Sequence, residues 1–438
     1  MGGQAFNKIE PPVHVPRMTP EVYHMVQKDV FAKLQRLFKR VSVPREAPGK
    51  ADYGDVDFLV DGIRTPCADI WSEIKSELGA EHHVGHSFAV IHPGRSSTSE
   101  PTDVPDLAHA FVQVDVELCP GNDTPDGAEL LRWTKFLKSD GDLAQIIGVC
   151  HRPLGITCND RGFHIRLEQI EPYDKKQSFL FLTRDPTEML KFLGLDAAKY
   201  KKGFKSERSL FEWVSRGEYF YRKVLENREE NANDRARLKK RSMYRRFVQE
   251  FVPSRPEIGQ HPYPPDRLGL LMEAIAKFDK LDEYREMMHR HIIWQDEKDL
   301  WAALWACIKE GLPAEGKPAI KRLLRGIKRF VAFEDGNPYI ADNATEYQLG
   351  YWTQNVPPDR RPALFEWVKS HWEEVKGLEK ERIAAAAKAA KISRATESSE
   401  AAEISKAAES SKAAESSKAA EIIKAAEIQA IENMRYYG

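Results

Sequence analysis

The sequence predicts an α+β protein built in three parts. Over residues 1–200, stretches with alternating apolar residues interleave with stretches whose apolar residues recur every three or four positions. That pattern is expected of a mixed sheet with flanking helices. From 201 to 377 the alternating stretches nearly vanish, and tryptophans, charges and helical spacing dominate, which predicts a helical domain. Beyond Leu378 a six-residue repeat, "SKAAES" and its variants, marks an Ala-, Glu-, Lys- and Ser-rich tail over 378–438.

The elements follow in order. "TPEVYHMVQKDVFAKLQRLFKRV" places Thr19 as a cap and Pro20 in the first turn, then keeps helical spacing through Val41. "DYGDVDFLV" alternates as a strand, and "PCADIWSEIKSELGA" returns to helical spacing. "HSFAVIHP" and "HAFVQVDVELCP" are two further strands around a Ser/Thr/Pro-rich loop from Arg95 to Pro105. Helices are predicted at "GAELLRWTKFLKSDG" and "GDLAQIIGVCHRPLG". A hairpin at "ITCNDRGFHIRLEQI" turns on Asn159 to Gly162, and "QSFLFLT" is a strand. In "RDPTEMLKFLGLD", Asp185 is the cap, Pro186 opens the first turn, Glu188 completes a capping box and Gly194 stops the helix. In the tail, each repeat turns a helix by about 600°, so successive repeats land about 240° apart and no apolar seam forms. A solvated helix or a disordered segment is expected there, not a coiled coil.

Composition excludes several classes. The net charge of -1 gives no global attraction to nucleic acid or anionic lipid, so any such attraction must be local. The five cysteines are scattered with no C-x-x-C pair, which argues against a zinc ribbon or a disulfide framework and for a reducing, intracellular setting, cytoplasmic or nuclear. No secretory leader and no run of eighteen apolar residues is present, so no membrane association is expected. "MGGQAF" lacks the Ser or Thr that a myristoylation signal carries at its sixth position.

The chemistry is carried by acids on strands. Residues two apart on a strand share a face, so Asp55 and Asp57 project together while Val56 and Phe58 turn to the opposite side. The arrangement recurs in "VQVDVE", where Asp115 and Glu117 share a face opposite Val114 and Val116. Carboxylates converging from neighbouring strands repel unless a cation compensates. Hard oxygen ligands of this kind suit Mg²⁺ or Mn²⁺, and such ions support phosphoryl transfer.

Gly54-Asp55-Val56-Asp57 followed by apolar residues, with a third Asp on a later strand, resembles the nucleotidyltransferase fold of the DNA polymerase β superfamily. The resemblance covers residues 1 to about 170. It implies that Asp55, Asp57 and Asp115 are the catalytic, metal-binding set, with Asp115 helping to deprotonate the nucleophile; Glu117, which has no counterpart in the family, is read from its shared strand face as an accessory metal-binding acid. It also implies a nucleotidyltransferase-like mixed sheet, an NTP as substrate, and transfer of a nucleoside monophosphate to a hydroxyl of RNA or another acceptor. The family places a Gly-Gly or Gly-Ser turn before the acidic pair, and the counterpart here is Gly2-Gly3, far ahead of Asp55. Lys135 and Lys138, on the helix after the Asp115 strand, fall where relatives hold the triphosphate. A phosphatase-type Asp-x-Asp motif fits less well, because Gly54 precedes the pair and Leu59 occupies the Thr or Val place.

Two further features bear on partners. Residues 201–250 hold fifteen Lys or Arg against eight Asp or Glu, concentrated in "RARLKKRSMYRRF". Arg235, Arg237, Lys239, Lys240, Arg241, Arg245 and Arg246, interleaved with Tyr244 and Phe247, suit an RNA backbone and stacked bases. The histidines of "EHHVGHSFAVIHP" lack partners at metal-ligand spacing and read as incidental. Beside the enzyme stands a second reading, a catalytically inactive module of the same fold that binds nucleic acid or protein.

Overall fold

The structure, a computed structural model, describes residues 3–10, 13–94, 107, 109–226, 232–260, 266–311 and 317–394. The loop predicted from Arg95 to Pro105, and the tail beyond 394, lie outside the described residues. The chain divides into two compact units at Met288/His289. Both helix and strand are present, with a mixed sheet near the N-terminus and helices towards the C-terminus. Among the described residues no helix is long and apolar enough to cross a membrane.

The first unit opens with helix α1, Pro20–Leu37, whose Thr19 side chain caps Val22 N and whose buried Tyr23, Val26, Val30 and Leu34 repeat at helical spacing. The helix stops four residues short of the predicted Val41. Phe38–Ser42 forms strand β1 instead, because pairing antiparallel to β2 (Asp55–Ile63) satisfies its backbone and buries Phe38 to 1 % exposure. Helix α2 (Ile70–Leu78), strands β3 (His82–Val84), β4 (Ser87–Ile91) and β5 (Phe111–Leu118) complete a five-stranded sheet of order β1-β2-β5-β4-β3. Only β2 and β5 run parallel. One face of this sheet, with Val56, Phe58, Val60, Val112, Val114 and Val116, forms a core with α1 and α2.

Helices α3 (Gly127–Lys138) and α4 (Leu143–His151) follow as expected. A second sheet, β6 (Ile156–Asn159), β7 (Gly162–Arg166) and β8 (Phe179–Thr183), then forms around the predicted hairpin turn, with Asn159 paired to Gly162. Helix α5 (Pro186–Phe192) is capped by Asp185, which accepts from Thr187 N. Glu188 does not close a capping box; it accepts from the Thr183 hydroxyl, which itself accepts from Asp185 N.

The change predicted at residue 200 is not a boundary between units. Helices α6 (Ala197–Lys202), α7 (Glu207–Val214), α8 (Ala232–Lys240), α9 (Ser242–Arg246) and α10 (Arg267–Lys277) lie in the first unit. Leu210, Trp213, Tyr244, Phe247 and Leu270 share one core with Ile147, Phe163 and Leu180. The composition changes there because the later segments pack as helices on a sheet already made.

The division falls within helix α11 (Leu281–Gly311). The second unit continues with α12 (Lys317–Phe330), a hairpin of β9 (Val331–Glu334) and β10 (Asn337–Ile340), α13 (Tyr351–Asn355) and a helix over 361–394. The hairpin was not expected, although Asp335-Gly336 is a strong turn signal. Both residues take left-handed φ, 52° and 76°, as a two-residue connection between twisted strands requires. Leu300, Leu304, Leu323, Ile327, Trp352, Val368 and Val375 form the core of this unit. Inside it, Glu297 is 1 % exposed and accepts from Tyr347 Oη, Gly350 N and Trp352 N. Residues assigned to the tail also belong here: Glu379 is fully buried and pairs with Arg382 at 2.7 Å.

Candidate active site

The acidic face of the first sheet is covered at both ends and open in the middle. On β2 it carries Asp55, Asp57, Leu59 and Asp61; on β5 it carries Phe111, Gln113, Asp115 and Glu117. At one end Leu59 packs with Cys119 and with Leu131 of α3. At the other, Phe6 and Val13 of the N-terminal segment pack on Ala89 and Phe111. Between these covers lies a cavity of about 270 Å³, whose lining includes Asp57, His86, Ser87, Asp115, Glu117 and Lys138.

Register brings the acids together. In the parallel β2–β5 ladder Asp57 stands directly beside Asp115, and Asp55 beside Gln113. Among the described residues Asp55, Asp57 and Asp115 form no ion pair, in contrast to the other two acids of this face. Asp61 is fully buried and neutralised by Arg40 at 2.5 Å, and Glu117 is paired with Lys138.

The unpaired set is electrostatically frustrated. Asp57 stays open to the cavity, yet the walls strip much of its hydration and Asp55, Asp115 and Glu46 add repulsion. Its carboxyl is pushed up to about 7, with Lys138 pulling the other way. Burial also raises Asp115, against the opposing effect of hydrogen bonds from Ser87 and Gln113. Gln113 is 4 % exposed and donates to both Asp115 oxygens, at 2.9 and 3.0 Å, while its carbonyl accepts from Ala5 N at 3.0 Å.

Lys138 lines the cavity but is engaged by Glu117. Lys135 is half-buried, with burial and then the nearby Arg45 lowering its pKa, and is not on the cavity wall. Gly2 lies outside the described residues. Gly3 takes φ +83°, and a Cβ there would come within 2.7 Å of Gly54 O, so the segment lies tightly against the residue that precedes Asp55. It opens no helix. The connection between β1 and β2, Val43 to Gly54, contains no Gly pair and no helix either. Of the basic cluster, Arg237, Arg241 and Arg246 are held by Asp234, Asp142 and Glu207, while Lys239, Lys240 and Arg245 are exposed.

Among the described residues no three His, Cys, Asp or Glu side chains are gathered into a ready metal cage. A hard ion suits the site in another way, held by one or two carboxylates with water and substrate oxygens completing its shell, as Mg²⁺ commonly is. The raised Asp57 and Asp115 favour that fit, since a nearby cation would relieve their repulsion. Sequence reasoning passed over Ser87 and Gln113. Gln113 was legible as the residue two before Asp115 on the same face, whereas Ser87 depends on the antiparallel register Ser87↔Asp115. Compared with known proteins, the chain matches no family model, and no curated protein matches it.

Proposed function

We propose that the protein is a Mg²⁺- or Mn²⁺-dependent nucleotidyltransferase of the DNA polymerase β type, transferring a nucleoside monophosphate from an NTP to a hydroxyl. One observation carries the reading: two carboxylates from segments far apart in sequence stand side by side, without cationic partners, at the mouth of a cavity. Nothing about folding requires that arrangement, which costs stability unless a cation is bound.

In this reading Asp57 and Asp115, with Asp55 beside them, hold the ion. When bound, it supplies charge neutralisation for the triphosphate and a lower pKa for the attacking hydroxyl. Asp115, oriented by Gln113 and Ser87, is the base that takes the nucleophile's proton. Lys138 exchanges Glu117 for a phosphate oxygen of the substrate. RNA is one candidate acceptor, with Lys239, Lys240 and Arg245 as exposed cations for its backbone.

A second reading, an inactive module of the same fold that binds nucleic acid or protein, is favoured by the absence of a Gly-rich phosphate turn between β1 and β2. Incubation with labelled NTPs, Mg²⁺ or Mn²⁺ and cellular RNA separates the two. Pyrophosphate release that is absent in Asp57→Asn supports the enzyme. A wild-type protein that releases none, while its melting temperature ignores divalent ions and NTPs, supports the binder.

A further inference from the structure

A second cavity, of about 380 Å³, opens in the first unit between α4, the β6–β7–β8 sheet and α8. Its lining contains four cations, Arg152, Arg166, Lys175 and Arg237, and not one carboxylate. Two of the four are paired with carboxylates outside the lining: Arg166 with Glu171 at 2.8 Å and Arg237 with Asp234 at 2.5 Å. Among the described residues Arg152 and Lys175 form no ion pair. Arg166 is 6 % exposed, with its donors committed to Gly155 O, Arg152 O and Glu171. It therefore supplies fixed positive charge to the wall, while Arg152 and Lys175 keep donors available for a ligand.

The rest of the lining is of a different kind. Val149, Ile156 and the ring of Phe179 form an apolar surface, and Thr157, Asn159 and Gln145 add neutral hydrogen-bonding groups. Like charges converging on one cavity are unfavourable unless an anion joins them. A cation after the last turn of α4 is favoured by the helix dipole, which accounts for Arg152 alone. That does not explain why Lys175 and Arg237, from two other segments, face the same space.

The geometry points to a binding site for a nucleoside monophosphate here, separate from the acid cavity. Its phosphate would meet Arg152 and Lys175, and its base would lie on Phe179 and the apolar wall. The volume falls at the small end of ligand pockets, roughly 300–1,000 Å³, which suits a mononucleotide better than a polymer. Guanidinium and ammonium groups are the common partners of phosphate, and an aromatic face is the common partner of a base.

Calorimetric titration of the full chain with AMP, inorganic phosphate and adenosine, with chelator present so that no ion bridges ligand to the acid cavity, tests this. AMP is expected to bind more tightly than either fragment. Its Kd should rise at least tenfold in Arg152→Ala/Lys175→Ala and in Lys175→Glu alone, both surface changes that leave the melting temperature in place. Phe179→Ala should weaken AMP and leave inorganic phosphate unchanged. No binding by AMP, equal binding by phosphate alone, indifference to both basic variants, or loss of binding in Asp57→Asn would each overturn the assignment. Because the titration is metal-free and measures no turnover, its failure leaves the proposed transferase reading standing, and the reverse holds too.

Discussion

At the scale of single residues, the most informative group is Asp57. Its carboxyl keeps its proton to about pH 7 when folded but only to about pH 4 in an unfolded chain. Between those values the native state binds more protons than the unfolded state, so this group lowers stability as pH rises through the window, and the deficit is complete above 7. Asp57→Asn is therefore expected to raise the metal-free melting temperature at pH 8 and to leave it unchanged near pH 4. The gain is about 1 kcal/mol once solvent screening in the open cavity is allowed for. Thermal melts at both pH values check this. The same variant should lower nucleotide transfer by at least about a thousandfold, as expected for loss of a charge acting on the transition state. Gln113→Leu leaves Asp115 without the amide nitrogen that donates to both its oxygens and Ala5 N without its acceptor. The expected result is a further upward shift of Asp115 and a fall in kcat of about tenfold. A pH–rate profile whose acidic limb moves up would show it. The three aspartates were legible in the sequence because spacing by two puts charges on one strand face. Their supporters were not, since Ser87 is an unremarkable residue until β4 lies beside β5, and the Lys138–Glu117 pairing depends on how α3 lies over the sheet.

At the scale of elements, the acidic face survives because the opposite face is strongly apolar. Phe58 is fully buried among Val56, Val60, Val114 and Val116. Phe58→Ala should cost about 3–5 kcal/mol, measured by denaturant unfolding, because it opens a void beneath the ladder that joins Asp57 to Asp115. In the second unit, Glu379→Ala removes the shared partner of Arg382 and Arg329, both partly exposed. A loss of about 1–2 kcal/mol is expected, less than for a fully buried pair because the arginines can turn to water. Element types were well predicted where the apolar period was long, as in α1, α3 and the strands carrying the acids. They were missed where local preference lost to pairing. Phe38–Ser42 continues a helical pattern yet becomes the edge of a sheet, and Val331–Ile340 folds back on Asp335-Gly336 amid segments that otherwise favour helix.

At the scale of the whole molecule, two units mean two cooperative transitions. Calorimetry of the full chain is expected to resolve both, since each unit has its own core. A divalent ion with NTP should raise only the transition of the unit that holds the acid cavity, by the increment that ligand linkage predicts. A single transition, or a shift in both, would contradict that expectation. The sequence could not place the division, because composition changes near residue 200 while the packing divides at 288. A helix built on an existing sheet and a helix built on other helices look alike in their apolar spacing.

The side-by-side setting of Asp57 and Asp115 is fixed by backbone pairing between two neighbouring strands. A one-residue slip of either strand would turn its acids into the apolar core, so register and chemistry are inherited together.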